Sequence, residues 1–399
     1  MPADTTVKFF SSSMTGAPVM TGLAGSLLAV LQACLVDGFG LATVDSVVVA
    51  SGVATVTRAA GHPFVDGQVA LLAGSTPVAL NGEKKVTVIS ATKYSFDATG
   101  VSDGTATGTI THKVAPLGWT NPFASSGNVG VFKPTDAAAT ACVLRVDDSG
   151  TKNTRVVGYE SMTDLNTGAS GSPATTGVSF PTNTLVPGGL YWPKSQSADA
   201  TQRPWYLFGD GRGFYLCSAF SFTAMSSAAF STVGFGDIGS VRSVGGPDCI
   251  IAGPTSDQSG FVAGNGTWEL DYSDGANAGS VYFPRSYTNV GSPIGASYRV
   301  APSFGNGTAA QRSGASGMLP NPNGPDGGIY VSQVFLSEPT TRNLRGNLAG
   351  LYFLLNSVVS TLANPNRFSA VANLAGRQVL TLNSATGAFG FDITGPWQR

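Results

Sequence analysis

Charge is what this chain has least of. Its 399 residues carry 22 Lys+Arg and 23 Asp+Glu, a formal net charge of −1, and charged residues make up 11% of the total. An ordinary soluble domain has roughly 25%. A near-neutral chain has no basic field to hold a phosphate backbone, so nucleic acid is excluded as a partner. Histidine is scarcer still: His62 and His112 are the only two, which leaves little material for imidazole catalysis or metal binding. The four cysteines, Cys34, Cys142, Cys217 and Cys249, are far apart and form no CxxC, which excludes a zinc ribbon or a dithiol redox motif. Each has apolar neighbours, so reduced, buried thiols acting as small hydrophobes are expected. Long apolar runs are missing too. The most apolar stretch, Gly22 to Val36, contains Ser26 and Gln32, and its length falls short of the ~20 residues that a bilayer requires. No membrane span is expected. The first acid, Asp4, precedes the first base, Lys8, which is not how a secretory signal opens, so folding in a cytoplasm is expected.

What the chain does have is glycine, 52 residues, together with 42% apolar and 10% aromatic residues. That apolar content can offset the entropy of ordering the chain, which excludes disorder. A glycine-rich, weakly charged chain of this length predicts a mainly β protein of two or more domains. Weak charge also provides little repulsion between copies. Two readings follow: a protein kept soluble by Ser, Thr and Asn, or a subunit whose surface is covered by neighbours.

One segment has helical spacing. Leu23, Leu27, Val30, Leu31, Cys34 and Leu35 fall on one face, and Asp37-Gly38 supplies the stop. Gly350 to Leu362 is apolar but rich in β-branched and aromatic residues, and reads as helix or strand. Residues 44–113 show short alternating strands: Ser46 to Ala50, Val53 to Arg58, Gln68 to Leu72, Lys84 to Ile89, Lys93 to Phe96 and Thr105 to Lys113. Turns fall at Ser51-Gly52, Gly61-His62-Pro63, Asn81-Gly82 and Asp103-Gly104, and Asn-Gly is a strong hairpin signal. This pattern predicts a small Ig-like or barrel module at 44–113, inserted into a larger β-sandwich-like domain with one N-terminal helix, made of residues 1–43 and 114–399. In the larger domain, hairpins are expected for Cys142 to Asp147 with Arg155 to Glu160, and for Trp205 to Phe208 with Phe214 to Cys217. Further strands are expected at Trp268 to Tyr272, Val281 to Tyr287, Tyr298 to Ala301, Ile329 to Leu336 and Gln378 to Leu382, with a closing hairpin at Ala388 to Ile393. The Gly/Ser/Pro-rich connections 166–190 and 302–328 are long, and such loops are functional or ordered by a partner. No fixed-period repeat appears, which argues against a propeller or β-helix.

Each segment that resembles a chemical motif also has a structural reading. Gly234-Phe-Gly236-Asp-Ile-Gly239 fits GxGxxG, but a dinucleotide site needs a helix to begin there, and Ser-Val-Arg-Ser-Val-Gly-Gly-Pro follows; a β-turn is expected. There is no GxSxG, and no nucleophile frames His62 or His112, so both read as structural. Asp147, Asp148, Asp210, Asp237 and Asp271 lie at predicted strand ends, where Asp stabilises turns; this reading is favoured over a glycosidase pair. Asn321 to Asp326 and Asp271 to Gly275 offer oxygen ligands without EF-hand spacing. Trp119, Trp192, Trp205, Trp268 and Trp397 could stack on sugars, but burial at sandwich corners is the expectation. No catalytic, cofactor-binding or metal-binding residue is assigned.

Several segments together resemble a known family. Val53-Ala-Thr-Val-Thr57, Gly61-His-Pro-Phe64, Gly67-Gln-Val69, Gly74, Asn81-Gly82, Val86 and Tyr94-Ser-Phe96 resemble a small β-module recurrent in virion proteins of tailed bacteriophages, with His62-Pro63 where the module usually reads His-Gly. Met14-Thr-Gly-Ala-Pro-Val19, Leu144-Arg-Val-Asp-Asp-Ser149, Arg155-Val-Val-Gly-Tyr-Glu160, Tyr191-Trp-Pro-Lys194, Arg203-Pro-Trp205, Gly327-Gly-Ile-Tyr-Val331 and Gly395-Pro-Trp397 are similar to segments of phage structural proteins. The resemblance implies a component of the virion particle, and the expectation from all of these features is a non-enzymatic structural protein of the tail tip or baseplate, partnered by copies of itself in a ring or trimer and by neighbouring virion proteins. The alternatives are a capsid-decorating or head-to-tail connector protein, or a host-surface glycan-binding adhesin or depolymerase.

Overall fold

The computed structural model describes residues 3–168, 178–183, 185–224, 230–242, 248–257, 281–300, 329–338, 340–354, 365–369, 371, 373–384 and 387–399. The strand expected at Trp268 to Tyr272, the acids Asp271 and Asp326, the loop 302–328 and most of Gly350 to Leu362 lie outside these residues.

The chain is mainly β, with antiparallel sheets packed face to face like a sandwich. Its middle is built from segments that are apolar at almost every position. Trp205–Gly209 and Gly213–Ser218 form the expected hairpin, in register from Trp205 opposite Ser218 to Gly209 opposite Phe214. Asp210 closes the turn by accepting the backbone N–H of Arg212 and of Gly213 at 2.8 and 3.0 Å. The hairpin lies in a seven-stranded sheet with Lys8–Ser11 on one side and Ser231–Asp237, Cys249–Ala252, Val281–Phe283 and Ile294–Gly295 on the other. Alternation along the strands turns Trp205, Leu207, Phe214, Leu216 and Phe235 to one face, and Tyr206, Phe208, Tyr215, Cys217 and Ile250 to the other. Both faces are covered, so every residue of the hairpin strands is buried. At roughly 1.5–3 kcal/mol for each large apolar side chain fully buried, such a sheet is held mainly by its two covering layers.

The first layer is the sheet of Val129–Phe132, Val143–Asp147 and Asn153–Tyr159, the last of which pairs with both Ser179–Phe180 and Leu190–Pro193. The expected hairpin of Val143–Asp147 with Asn153–Tyr159 is present. The second layer contains Ser297–Val300, Val331–Ser337, Leu344–Leu354, Gly387–Asp392, Val379–Ser384 and Asn366–Phe368. Phe391 from this layer stacks on Phe208 of the central sheet, with ring centroids 4.1 Å apart and planes 4° from parallel. The described part of Gly350 to Leu362 belongs to the strand Leu344–Leu354, so it is not a helix.

The helix is shorter than its apolar spacing implies. It runs Ser26–Gln32 and continues as one π-helical turn, Ala33–Asp37, in which the Gly38 N–H reaches back to the Ala33 carbonyl at 2.8 Å. Gly38, at φ 71°, then ends it. Leu27, Val30, Leu31, Cys34 and Leu35 face the core, whereas Leu23 precedes the helix and is exposed. No helix among the described residues is long and apolar enough to cross a membrane.

Residues 39–114 form two further sheets that pair only within themselves. One has the order Phe39–Thr43, Thr111–Val114, Val69–Ala73, Gly82–Lys85; the other has Thr87–Ser90, Lys93–Asp97, Val53–Thr57, Ser46–Ala50, Gly104–Thr105. Ser51 and Gly52, at φ 51° and 77°, make the two-residue turn with positive φ at both positions that a twisted hairpin favours. Three expectations from the sequence are not met here. Asn81-Gly82 is not a hairpin turn: Asn81 sits at φ −76°, and its side chain bonds the N–H and carbonyl of Ser75 at 2.9 and 3.0 Å. Lys84 to Ile89 is not one strand, because buried Val86 turns the chain from one sheet into the other. Thr105 to Lys113 likewise splits in two. Lys8 pairs with Glu83 at 3.0 Å, and Lys85 Nζ donates to the carbonyls of Ile393 and Thr394 at 2.9 and 3.1 Å, tying this unit to the body.

Candidate functional site

Gly234 and Gly236 lie inside the strand Ser231–Asp237, and another strand, Gly239–Ser240, follows, so the expected β-turn is absent and no helix N-terminus meets a phosphate there. The glycines serve packing. A Cβ on Gly236, already at φ +129°, would lie 2.3 Å from the Gly213 Cα and 2.4 Å from the Arg212 carbonyl oxygen. The two histidines sit in the two-sheet unit. His62 Nε2 lies 2.9 Å from the Ser90 carbonyl oxygen, and its Nδ1 accepts the Phe64 N–H. His112 is fully buried, with Nδ1 2.9 Å from the Tyr94 hydroxyl and no hydrogen-bond partner for Nε2 among the described residues. Burial, with Arg58 and His62 nearby, pushes its pKa down to about 4. Neither histidine faces a nucleophile. All four cysteines are free and buried; burial pushes the Cys34 and Cys249 thiols up and brings Cys217 to about 12, so none of these three is poised as a nucleophile. Trp119, Trp192, Trp205 and Trp397 are buried, so none of these four presents a ring to a sugar; Trp268 lies outside the described residues.

Two of the four described acids depart from their predicted role. Asp147 does hold a turn, accepting the Ser149 N–H, and so does Asp210. Asp148 and Asp237 are buried members of ionic clusters. Asp237 receives Arg212 through Nε and Nη2 at 3.1 and 3.0 Å, and the Thr140 hydroxyl at 2.6 Å. Burial raises its pKa against those donors. Next to it, Arg399 grips both carboxylate oxygens of Asp210 and donates to the Asp237 carbonyl.

A second cluster ties the central sheet to the second layer. Arg345, 1% exposed, meets Asp248 with Nε and Nη2 at 2.9 and 2.8 Å and Glu338 with Nη1 at 2.8 Å, and its guanidinium lies 4.0 Å from the Phe283 ring centroid. Arg242 adds a contact to Asp248 at 2.7 Å. The third cluster is centred on Asp148, which bonds Lys194, Thr154 and the first N–H groups of the helix. The sequence did carry a signal for these clusters: isolated charges inside apolar runs, as in Leu344-Arg-Gly-Asn-Leu348 and Tyr191-Trp-Pro-Lys194, of a chain that spends charge sparingly. Every such carboxylate already has a cationic partner, so none stands free as an acid or base. Among the described residues no three of His, Cys, Asp and Glu gather as a metal site would require.

Several large apolar side chains stay outside. Leu41, Val78 and Ile89 of the two-sheet unit are 71%, 78% and 56% exposed. Near the Arg345 cluster, Val241, Tyr287, Val290 and Leu344 are exposed as well. No protein-family model matches the chain, and no curated protein matches it either.

Proposed function

We propose that this chain is a non-enzymatic structural component of a tailed-phage virion, placed at the tail tip or baseplate, and that it works by symmetric assembly with copies of itself and with neighbouring virion proteins. The observation that carries the reading is where the scarce charge goes. Asp148, Lys194, Asp210, Asp237, Asp248, Glu338 and Arg345 are buried in internal ion pairs. The solvent-facing surface is left with less charge than the composition implies and with large aliphatic side chains standing out from it. Such a surface resists self-association weakly and gains by being covered. The resemblance of the short segments to phage structural proteins supplies the setting.

Analytical ultracentrifugation of the purified chain tests the assembly, with a closed ring or trimer expected. Because the contact is apolar, association should persist between 0.1 and 1 M salt, conditions over which the Debye length falls from about 10 to about 3 Å. Imaging of labelled particles then tests the location. A chain that stays monomeric at high concentration and is absent from particles would overturn the reading.

A further inference from the structure

Lys194 and Asp148 are sequestered more completely than the other ion pairs described, both side chains having no exposed surface. Asp148 follows the strand Val143–Asp147, and Lys194 follows Leu190–Pro193. Lys194 Nζ contacts Oδ1 of Asp148 and donates to the Leu23 carbonyl at 2.8 Å. The Thr154 hydroxyl donates to the same Oδ1 at 2.5 Å. Oδ2 accepts two backbone N–H groups, from Leu27 at 2.8 Å and Leu28 at 3.0 Å. The carboxyl group thus has an amine against it, two fixed donors on one oxygen and a hydroxyl on the other. That is the arrangement acyl substitution needs: a nucleophile, a site for the developing oxyanion, and a relay at the departing oxygen.

We propose that Lys194 and Asp148 join in an intramolecular amide bond. Buried away from water, the ion pair is expensive to keep charged. Burial lowers the pKa of Lys194, against the opposing effect of Asp148. One proton passes from Nζ to Oδ1 along their contact, giving neutral amine and neutral acid. The Nζ lone pair then attacks Cγ, and negative charge collects on Oδ2, where the Leu27 and Leu28 N–H groups hold it. A second proton moves from Nζ to Oδ1 through the Thr154 hydroxyl, the Cγ–Oδ1 bond breaks, and Oδ1 leaves as water. Ammonium and carboxylate become amide and water, with no oxidant or reductant involved. The product links the hairpin Val143–Tyr159 to the residue after the strand Leu190–Pro193, and its carbonyl oxygen keeps the Leu27 and Leu28 N–H groups at the entry of the helix as hydrogen-bond donors.

The intact mass of the purified wild-type chain decides the matter. It is expected to be lower than the sequence mass by one water, with Asp148 and Lys194 in a single branched peptide after proteolysis. Asp148→Asn should close the same bond by losing ammonia and reach the same final mass as the wild type. Lys194→Arg should stay at its full sequence mass, and Thr154→Val should close more slowly on refolding. Folded wild-type chain at full mass, with Asp148 and Lys194 in separate peptides, would overturn the proposal; that readout needs no variant to fold.

Discussion

In the two-sheet unit, Ser46–Ala50 and Val53–Thr57 bury every second residue; in the central sheet, Trp205–Gly209 and Gly213–Ser218 bury all of them. The first pattern leaves each sheet a wet face, and charged side chains such as Glu83, Lys93 and Asp97 lie on it. The second leaves no wet face. A charge near the central sheet must therefore be buried, and a buried charge needs a partner with good geometry. This is why the ionic clusters of Asp237, Asp248 and Asp148 occur in the body, while the two-sheet unit holds a neutral histidine beside a tyrosine. The same difference makes the body intolerant of lost partners and the unit sensitive to added protons.

The sharpest way to break the comparison is Arg345→Met. It leaves Asp248 and Glu338 buried beside an apolar side chain, although Arg242 still reaches Asp248. Removing one partner of a buried pair costs about 3–5 kcal/mol. Urea unfolding followed by tryptophan fluorescence should show that loss in the body, where Trp119, Trp192, Trp205 and Trp397 report. Gly236→Ala comes next. The new methyl would press on the Gly213 and Arg212 backbones at a φ that L-residues avoid. The expected cost is roughly 2–4 kcal/mol, combining backbone strain with overpacking. An unchanged urea midpoint would show that the tight glycine packing of this strand is dispensable.

The two-sheet unit should respond to pH instead. His112 is held near pKa 4 in the fold, against 6.5 for an ordinary histidine. The unfolded chain therefore binds more protons between these values, so the stability due to neutral His112 is complete above pH 6.5 and is lost as pH falls towards 4. After allowance for solvent screening the loss is about 2 kcal/mol. His112→Phe, which cannot titrate, should flatten the dependence over that window. If wild type and variant lose stability in parallel, another group is responsible.

How much of this was legible in the sequence depended on the same contrast. Alternation located Ser46–Ala50 to the residue, and the glycine-centred turn placed the Trp205 hairpin correctly. Local patterns failed where tertiary contacts decide. Val86 turns a corner between sheets although the surrounding residues alternate as one strand would. Asn81 gives its side chain to Ser75 instead of making a hairpin. Asp148 looked like a turn residue because its partners, Lys194 and the N–H groups of Leu27 and Leu28, are 46 and about 120 residues away.

The smallest effect on stability is expected on the outer surface, and it separates folding from assembly. Val78, 78% exposed, follows the turn at Pro77, and Leu41, 71% exposed, points out from the strand Phe39–Thr43. Neither contributes much to a core, so Val78→Asp and Leu41→Asp should each change unfolding free energy by no more than about 0.5 kcal/mol. Assembly should be more sensitive, because a carboxylate placed in an apolar contact must lose its water without gaining a partner. Sedimentation of the two variants should shift towards the monomer while their urea midpoints stay at the wild-type value. A monomer shift with either variant would place the two-sheet unit in the contact between subunits. If both assemble like the wild type, the contact belongs to the surface beside the Arg345 cluster, where Val241, Tyr287, Val290 and Leu344 are exposed, and Val290→Asp becomes the variant that must disrupt it.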